Sequence, residues 1–183
     1  MNSKGKLLLL FGMFIAPIAA SYLAYYVWPP EGRKNYGELV KQIALTTQGV
    51  DLTGAPKNIA DLQRQWVMVY VGSGACNKSC EQSLYFMRQT RKMQGKEMDR
   101  IERLWVLTDA ATPSVQLQQE HAGLHYLRPA NAAMLAQFPD ADKGGSLYMI
   151  DPMGHLMMRW PHDPDYKGMS KDIKQLLKAS QIG

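Results

Sequence analysis

The chain has 183 residues, a formal net charge of +5 and two cysteines, a length that suits one domain with an appendage and is sufficient for a sizeable core. With Lys4 and Lys6 set aside, residues 31–183 carry 19 Lys and Arg against 16 Asp and Glu, a net of +3. No basic stripe with interleaved aromatics accompanies that charge, which argues against a nucleic-acid partner.

From Leu7 to Pro30 there is no charged side chain; at about 1.5 Å per residue this stretch spans roughly 36 Å as a helix, enough to cross a ~30 Å hydrocarbon core. The expectation is a transmembrane anchor over 7–30. Residues 1–6, with Lys4 and Lys6, then lie on the cytoplasmic side, and Tyr25, Tyr26 and Trp28 at the far interface. Residues 31–35 make a polar linker and 36–183 a domain outside the cytoplasm, an arrangement that fits a bacterial inner-membrane protein facing the periplasm. A cleaved signal peptide, with Ala19-Ala20 before Ser21, is the alternative. The apolar run continues through Leu23, Tyr25, Tyr26 and Val27, which favours retention.

Tyr36 to Leu52 reads as a strand or hairpin, closed by the turn residues of Asp51-Leu52-Thr53-Gly54-Ala55-Pro56. A short helical segment over 59–65 leads to Trp66 to Val71, apolar on both faces and hence a strand covered on both sides. Gly72-Ser73-Gly74 turns the chain, and Cys76, Cys80, Leu84 and Met87 follow at helical spacing, one stripe on a helix expected to run to about Gln94 before Gly95. Lys96 to Arg103 leads into a second buried strand over 104–109, so a parallel βαβ unit is expected. Pro113 opens a helix to about Glu120, Leu124 to Leu127 is a short strand, and 130–137 a helix. After a loop over 138–145 come a hairpin (146–151 and 156–160) and a C-terminal helix with Met169, Ile173, Leu176 and Leu177 on one face. This order is that of an α/β, thioredoxin-like fold behind an N-terminal transmembrane helix.

The chemistry rests on Cys76 and Cys80. A helix N-terminus carries roughly half a positive charge and lowers a thiol pKa from about 8.5. Three roles compete. A structural disulfide closing about five residues contributes only ~2 kcal/mol, against ~4.7 for a hundred, a poor use of both cysteines. An exposed pair in an oxidising compartment suits thiol-disulfide exchange. Two thiolates on one helical face also suit one soft copper(I) ion. His121, His125, His155 and His162 read as solvated or locally bonded, and Lys143, if near the sulfurs, would favour the thiolate. The twelve methionines are scattered, as core packing requires. There is no phosphate-binding loop, His-Glu-x-x-His or nucleophile elbow.

Cys76-x-x-x-Cys80 behind a strand, Val106-Leu107-Thr108-Asp109 with Thr112-Pro113, and Leu147-Tyr148-Met149-Ile150-Asp151-Pro152-x-Gly154 together resemble the Sco/SenC family of membrane-anchored thioredoxin-like proteins, over roughly residues 36–180. The resemblance implies a part in assembling the copper centres of cytochrome c oxidase, with the oxidase's copper-bearing subunit or another copper-assembly protein as partner. The cysteines would reduce the partner's cysteines or carry copper as its ligands; a non-catalytic assembly factor that uses the fold only as a docking surface is a third class of reading. Two positions depart from the family. Glu81 stands where proline usually follows the second cysteine, and the copper-ligand histidine is missing from Asp142-Lys143-Gly144-Gly145-Ser146.

Overall fold

The computed structural model describes residues 2–27, 35–45, 48–141, 145–180 and 182. The chain divides into two units, residues 1–34 and 35–183. In the first, helix α1 (Ser3–Val27) includes Pro17 and is long and apolar enough to span a membrane. The described part of the expected 7–30 anchor is thus helical, beginning four residues earlier.

In the second unit, eight strands among the described residues form one sheet: β1 (Glu38–Ala44), β2 (Gln48–Val50), β3 (Pro56–Asn58), β4 (Trp66–Gly72), β5 (Ile101–Leu107), β6 (Leu124–Pro129), β7 (Leu147–Ile150) and β8 (His155–Trp160). Their order is β1-β8-β7-β4-β5-β6-β2-β3. β4 pairs parallel with β5, and β5 with β6, while β7 and β8 form the antiparallel hairpin beside β4. The β4-helix-β5 crossover is the expected βαβ unit. β1 and β2 do not pair with each other; β2 forms its hairpin with β3 across the 51–55 turn. β1 lies on one edge against β8, and β2 on the other side against β6 and β3.

Every residue of β4 is buried, because both sheet faces are covered. Met68, Tyr70, Trp105 and Leu107 on one face pack with Leu84 and Met87 of α2 (Lys78–Met93) and Met169, Ile173 and Leu177 of α5 (Tyr166–Ala179). On the other, Val67, Val69, Val71 and Val106 pack with Ile59, Leu62, Met134 and Phe138. Burial at about 25 cal/mol per Å² of apolar surface makes these two layers the main stabilising term.

Several elements are shorter than the sequence suggests. Residues 59–62 form a 3-10 turn, since Arg64 takes a left-handed φ of 73° that ends it before 65. α3 is Val115–Glu120, capped by Ser114, so Pro113 precedes the helix. α4 is a single turn, Ala132–Leu135. β5 is instead shifted, beginning at Ile101, three residues early, and ending at Leu107, because the basic cluster ends in a 3-10 segment, Gly95–Arg100.

Candidate functional site

The end of β4 delivers Gly72, Ser73 and Gly74 to a turn, and Asn77 caps α2 by accepting from the Cys80 amide at 3.0 Å. Cys76 therefore stands just before the helix cap and Cys80 in its first turn. Their Cα atoms lie 5.3 Å apart and the pair forms a disulfide, within the usual range for that bond. The two sulfurs have unlike surroundings. Cys80 is 3% exposed and belongs to the core with Leu84 and Met87, whereas Cys76 is only partly buried.

A cavity of about 260 Å³ opens on the pair, lined by Tyr70, Ser73, Asn77, Ser79, Gly145 and His162 as well as both cysteines. Burial pushes the Tyr70 phenol up to about 12, so it remains a neutral hydroxyl. Ser79 Oγ and His162 Nε2 are 2.5 Å apart, and one turn further along α2 Gln82 Nε2 donates to Asp163 at 2.8 Å. These two bonds clamp the loop after β8 onto the first turns of the cysteine helix. Gly145 lies under the imidazole: a Cβ there would stand 2.1 Å from His162 Cδ2.

His162 is the site residue that sequence reasoning passed over. The other histidines lie elsewhere. His155 pairs with Asp151 at 3.3 Å in the hairpin turn, and His125 with Glu102 at 3.2 Å. His121 is buried beyond α3. Lys143, with Asp142 and Gly144, falls outside the described residues.

The donor set bears on copper. Two sulfurs within one helical turn can meet one soft ion, but among the described residues no group of three His, Cys, Asp or Glu side chains is placed to hold a metal. The geometry fits a two-thiolate site and supplies no third ligand.

Family comparison covers most of the folded unit: residues 66–180 match the model described as "Transmembrane-like, thioredoxin-like, C-terminal domain". No curated protein matches the chain significantly. Among solved structures, yeast Sco1 with copper bound superposes with a TM-score of 0.63 at 16% identity, covering 81% of this chain and 96% of that one. A SCO1/SenC family lipoprotein from Bacillus anthracis gives 0.56 at 17% identity over 76% and 99%. BsSco, a Sco-family cytochrome c oxidase assembly protein with a disulfide switch, gives 0.54 at 12% over 81% and 99%. At such identities the likeness is one of fold. The chain belongs to the transmembrane-like, thioredoxin-like C-terminal domain family, and its folded unit has a thioredoxin-like fold similar to that of the Sco1 structures.

Proposed function

We propose that this chain is a membrane-anchored thioredoxin-like protein of cytochrome c oxidase biogenesis, facing the periplasm from the bacterial inner membrane. It exchanges disulfides with the copper-site cysteines of its partner. The observation that carries this is the asymmetry of the pair: on a cavity that both sulfurs line, Cys76 is part-exposed ahead of the helix while Cys80 is buried in its first turn. Cys76, favoured as thiolate by the helix dipole, attacks a partner disulfide and expels one partner thiolate. Cys80, deprotonated, then attacks Cys76 Sγ and releases the second. The partner gains two electrons and two thiols, and the chain is left with its disulfide, to be reset by a membrane-side dithiol reductant. Replacing Cys76 and Cys80 by serine in cells tests the role: oxidase assembly falls if the thiols act, and full assembly with both serines leaves only a docking role.

A second role as copper(I) carrier is favoured by the closeness of the two sulfurs at the start of α2 and by the copper-bound state of the Sco1 structure it resembles. Copper is then cargo, held by Cys76 and Cys80. Titrating the reduced chain with Cu(I) against a chelator separates the two roles. Tight one-to-one binding that both serine replacements abolish would establish carriage.

A further inference from the structure

Asp109, two residues beyond the end of β5, gathers three hydrogen bonds on its carboxylate. Ser73 Oγ donates at 2.5 Å, the Gly74 amide at 3.0 Å and the Ala111 amide at 3.1 Å. The Ser73 and Gly74 bonds come first among the causes that hold its carboxyl below the usual range. Both donors belong to the turn that carries Cys76. From β6, Arg128 grips the same loop, its Nε donating to the Asp109 carbonyl at 3.3 Å and its Nη2 to those of Ala110 and Ala111 at 3.3 and 3.4 Å. The two segments touch backbone to backbone, for a Cβ on Gly74 would lie 2.0 Å from the Ala111 carbonyl oxygen. β4 and β5 are already paired as far as Gly72 and Leu107. The bonds beyond that point therefore act on the turn ahead of Cys76 and on the loop facing it.

A dithiol closes more readily the more often its two sulfurs meet, an effective-concentration effect. Cys80 is fixed by α2 and the core, so the free variable is where the turn holds Cys76. We propose that Asp109 is a positioning residue: by lacing Ser73 and Gly74 to the loop after β5 it holds Cys76 against Cys80 and sets the disulfide–dithiol equilibrium. This rests on the exchange role proposed above. With oxidised dithiothreitol as reference, the protein S–S bond forms as the dithiothreitol S–S bond breaks; two electrons and the two thiol protons pass to the reference sulfurs. Unlacing the turn lets Cys76 move away and favours the dithiol. Loss of the Asp109 charge pushes the same way by favouring thiolate, so a charge-neutral variant is needed beside it.

The full chain in detergent is equilibrated with mixtures of reduced and oxidised dithiothreitol, and the disulfide fraction is read by the mass shift on alkylation. Asp109→Asn should lower the oxidation constant about tenfold, equivalent to a potential about 30 mV more oxidising; Ser73→Ala, which keeps the charge, should lower it about threefold. Where Asp109→Asn fails to fold, Ser73→Ala alone decides. A Ser73→Ala constant equal to the native one overturns the proposal, even where Asp109→Asn shifts, because the effect is then one of charge. A native chain that forms no disulfide at any ratio overturns the exchange role itself, and the proposal with it.

Discussion

Ser79 Oγ and His162 Nε2 meet at 2.5 Å, joining the cysteine helix to the loop after β8. That bond keeps the imidazole as a wall of the cavity over the disulfide. Thiol-disulfide exchange depends on access to the attacked sulfur. His162→Ala should therefore speed reduction by dithiothreitol about threefold, measured by quenched alkylation. Gly145→Ala should do the same, since its Cβ would displace the ring. Rates equal to the native one in both would show that the wall does not limit access.

Exposure separates the two cysteines, Cys80 being buried and Cys76 part-exposed. In the reduced chain iodoacetamide should modify Cys76 at least about tenfold faster than Cys80, because the accessible thiolate is the reactive form. Peptide mass mapping at short times checks this. A mixed disulfide should accumulate on Cys76 in Cys80→Ser and should not form on Cys80 in Cys76→Ser.

His121 gives the stability a pH signature. Burial, aided by the Arg88 and Arg103 guanidiniums, pushes its imidazole down to about 4 from the ordinary 6.5. As pH falls the unfolded chain takes up this proton near 6.5, while the folded chain resists until about 4. Stability is lost across that window, by about 3 kcal/mol at its foot. The lowered carboxyls of Asp51 and Asp109 act at lower pH, below the unfolded value of 3.8. Urea unfolding at pH 7, 5 and 4 should show this slope, and His121→Gln should flatten it.

Arg103 is the neighbour that makes that site costly. It is 5% exposed, donates one Nη2 bond to the Ala122 carbonyl, and leaves Nη1 without a partner among the described residues. No described carboxylate forms a salt bridge with it. A buried charge held this way costs more than an apolar side chain of similar volume. Arg103→Met should stabilise the fold by about 1 kcal/mol and raise the His121 pKa, with the midpoint of the acid limb moving toward neutral.

Asp172 of α5 is 2% exposed and accepts from the Tyr36 amide at 2.9 Å, the Gly37 amide at 2.7 Å and Trp160 Nε1 at 3.0 Å. Asp172→Ala strands three donors, two of them in buried bonds, and should cost about 3 kcal/mol at pH 7. Denaturant unfolding measures it. Asp172→Asn, which keeps one oxygen, should lose less.

Legibility in the sequence followed the strength of local pattern. Trp66 to Val71 and Leu104 to Leu107 are long apolar runs with nothing polar to interrupt them, so the parallel centre of the sheet and the turn bearing Cys76 and Cys80 could be read directly. β1 could be read only as a vague strand: it is an edge strand whose exposed positions recur without strict alternation. Nothing local says that it pairs with β8, far along the chain, and not with β2. β3 was hidden in a turn signal, because three residues including Pro56 carry no period.

His162 was hidden for another reason. Its partner Ser79 is 83 residues away, and a lone histidine in Pro-His-Asp-Pro reads as a solvated loop. A usable signal lay in the hairpin register. Leu147 pairs with both Trp160 and Tyr70, so residues just before 147, just after 160 and just after 70 collect at one end of the sheet. That end holds Gly145, His162 and the cysteine turn.

The Asp172 knot has a mechanical consequence. Any tension along the chain from α1 enters the folded unit at Asn35 and reaches Tyr36 and Gly37 first, whose amides end on a buried carboxylate in the C-terminal helix. The load is thus shared between the first residues of the domain and its last helix before it reaches the edge strand β1. A pull on the tether thus strains both ends of the folded unit together.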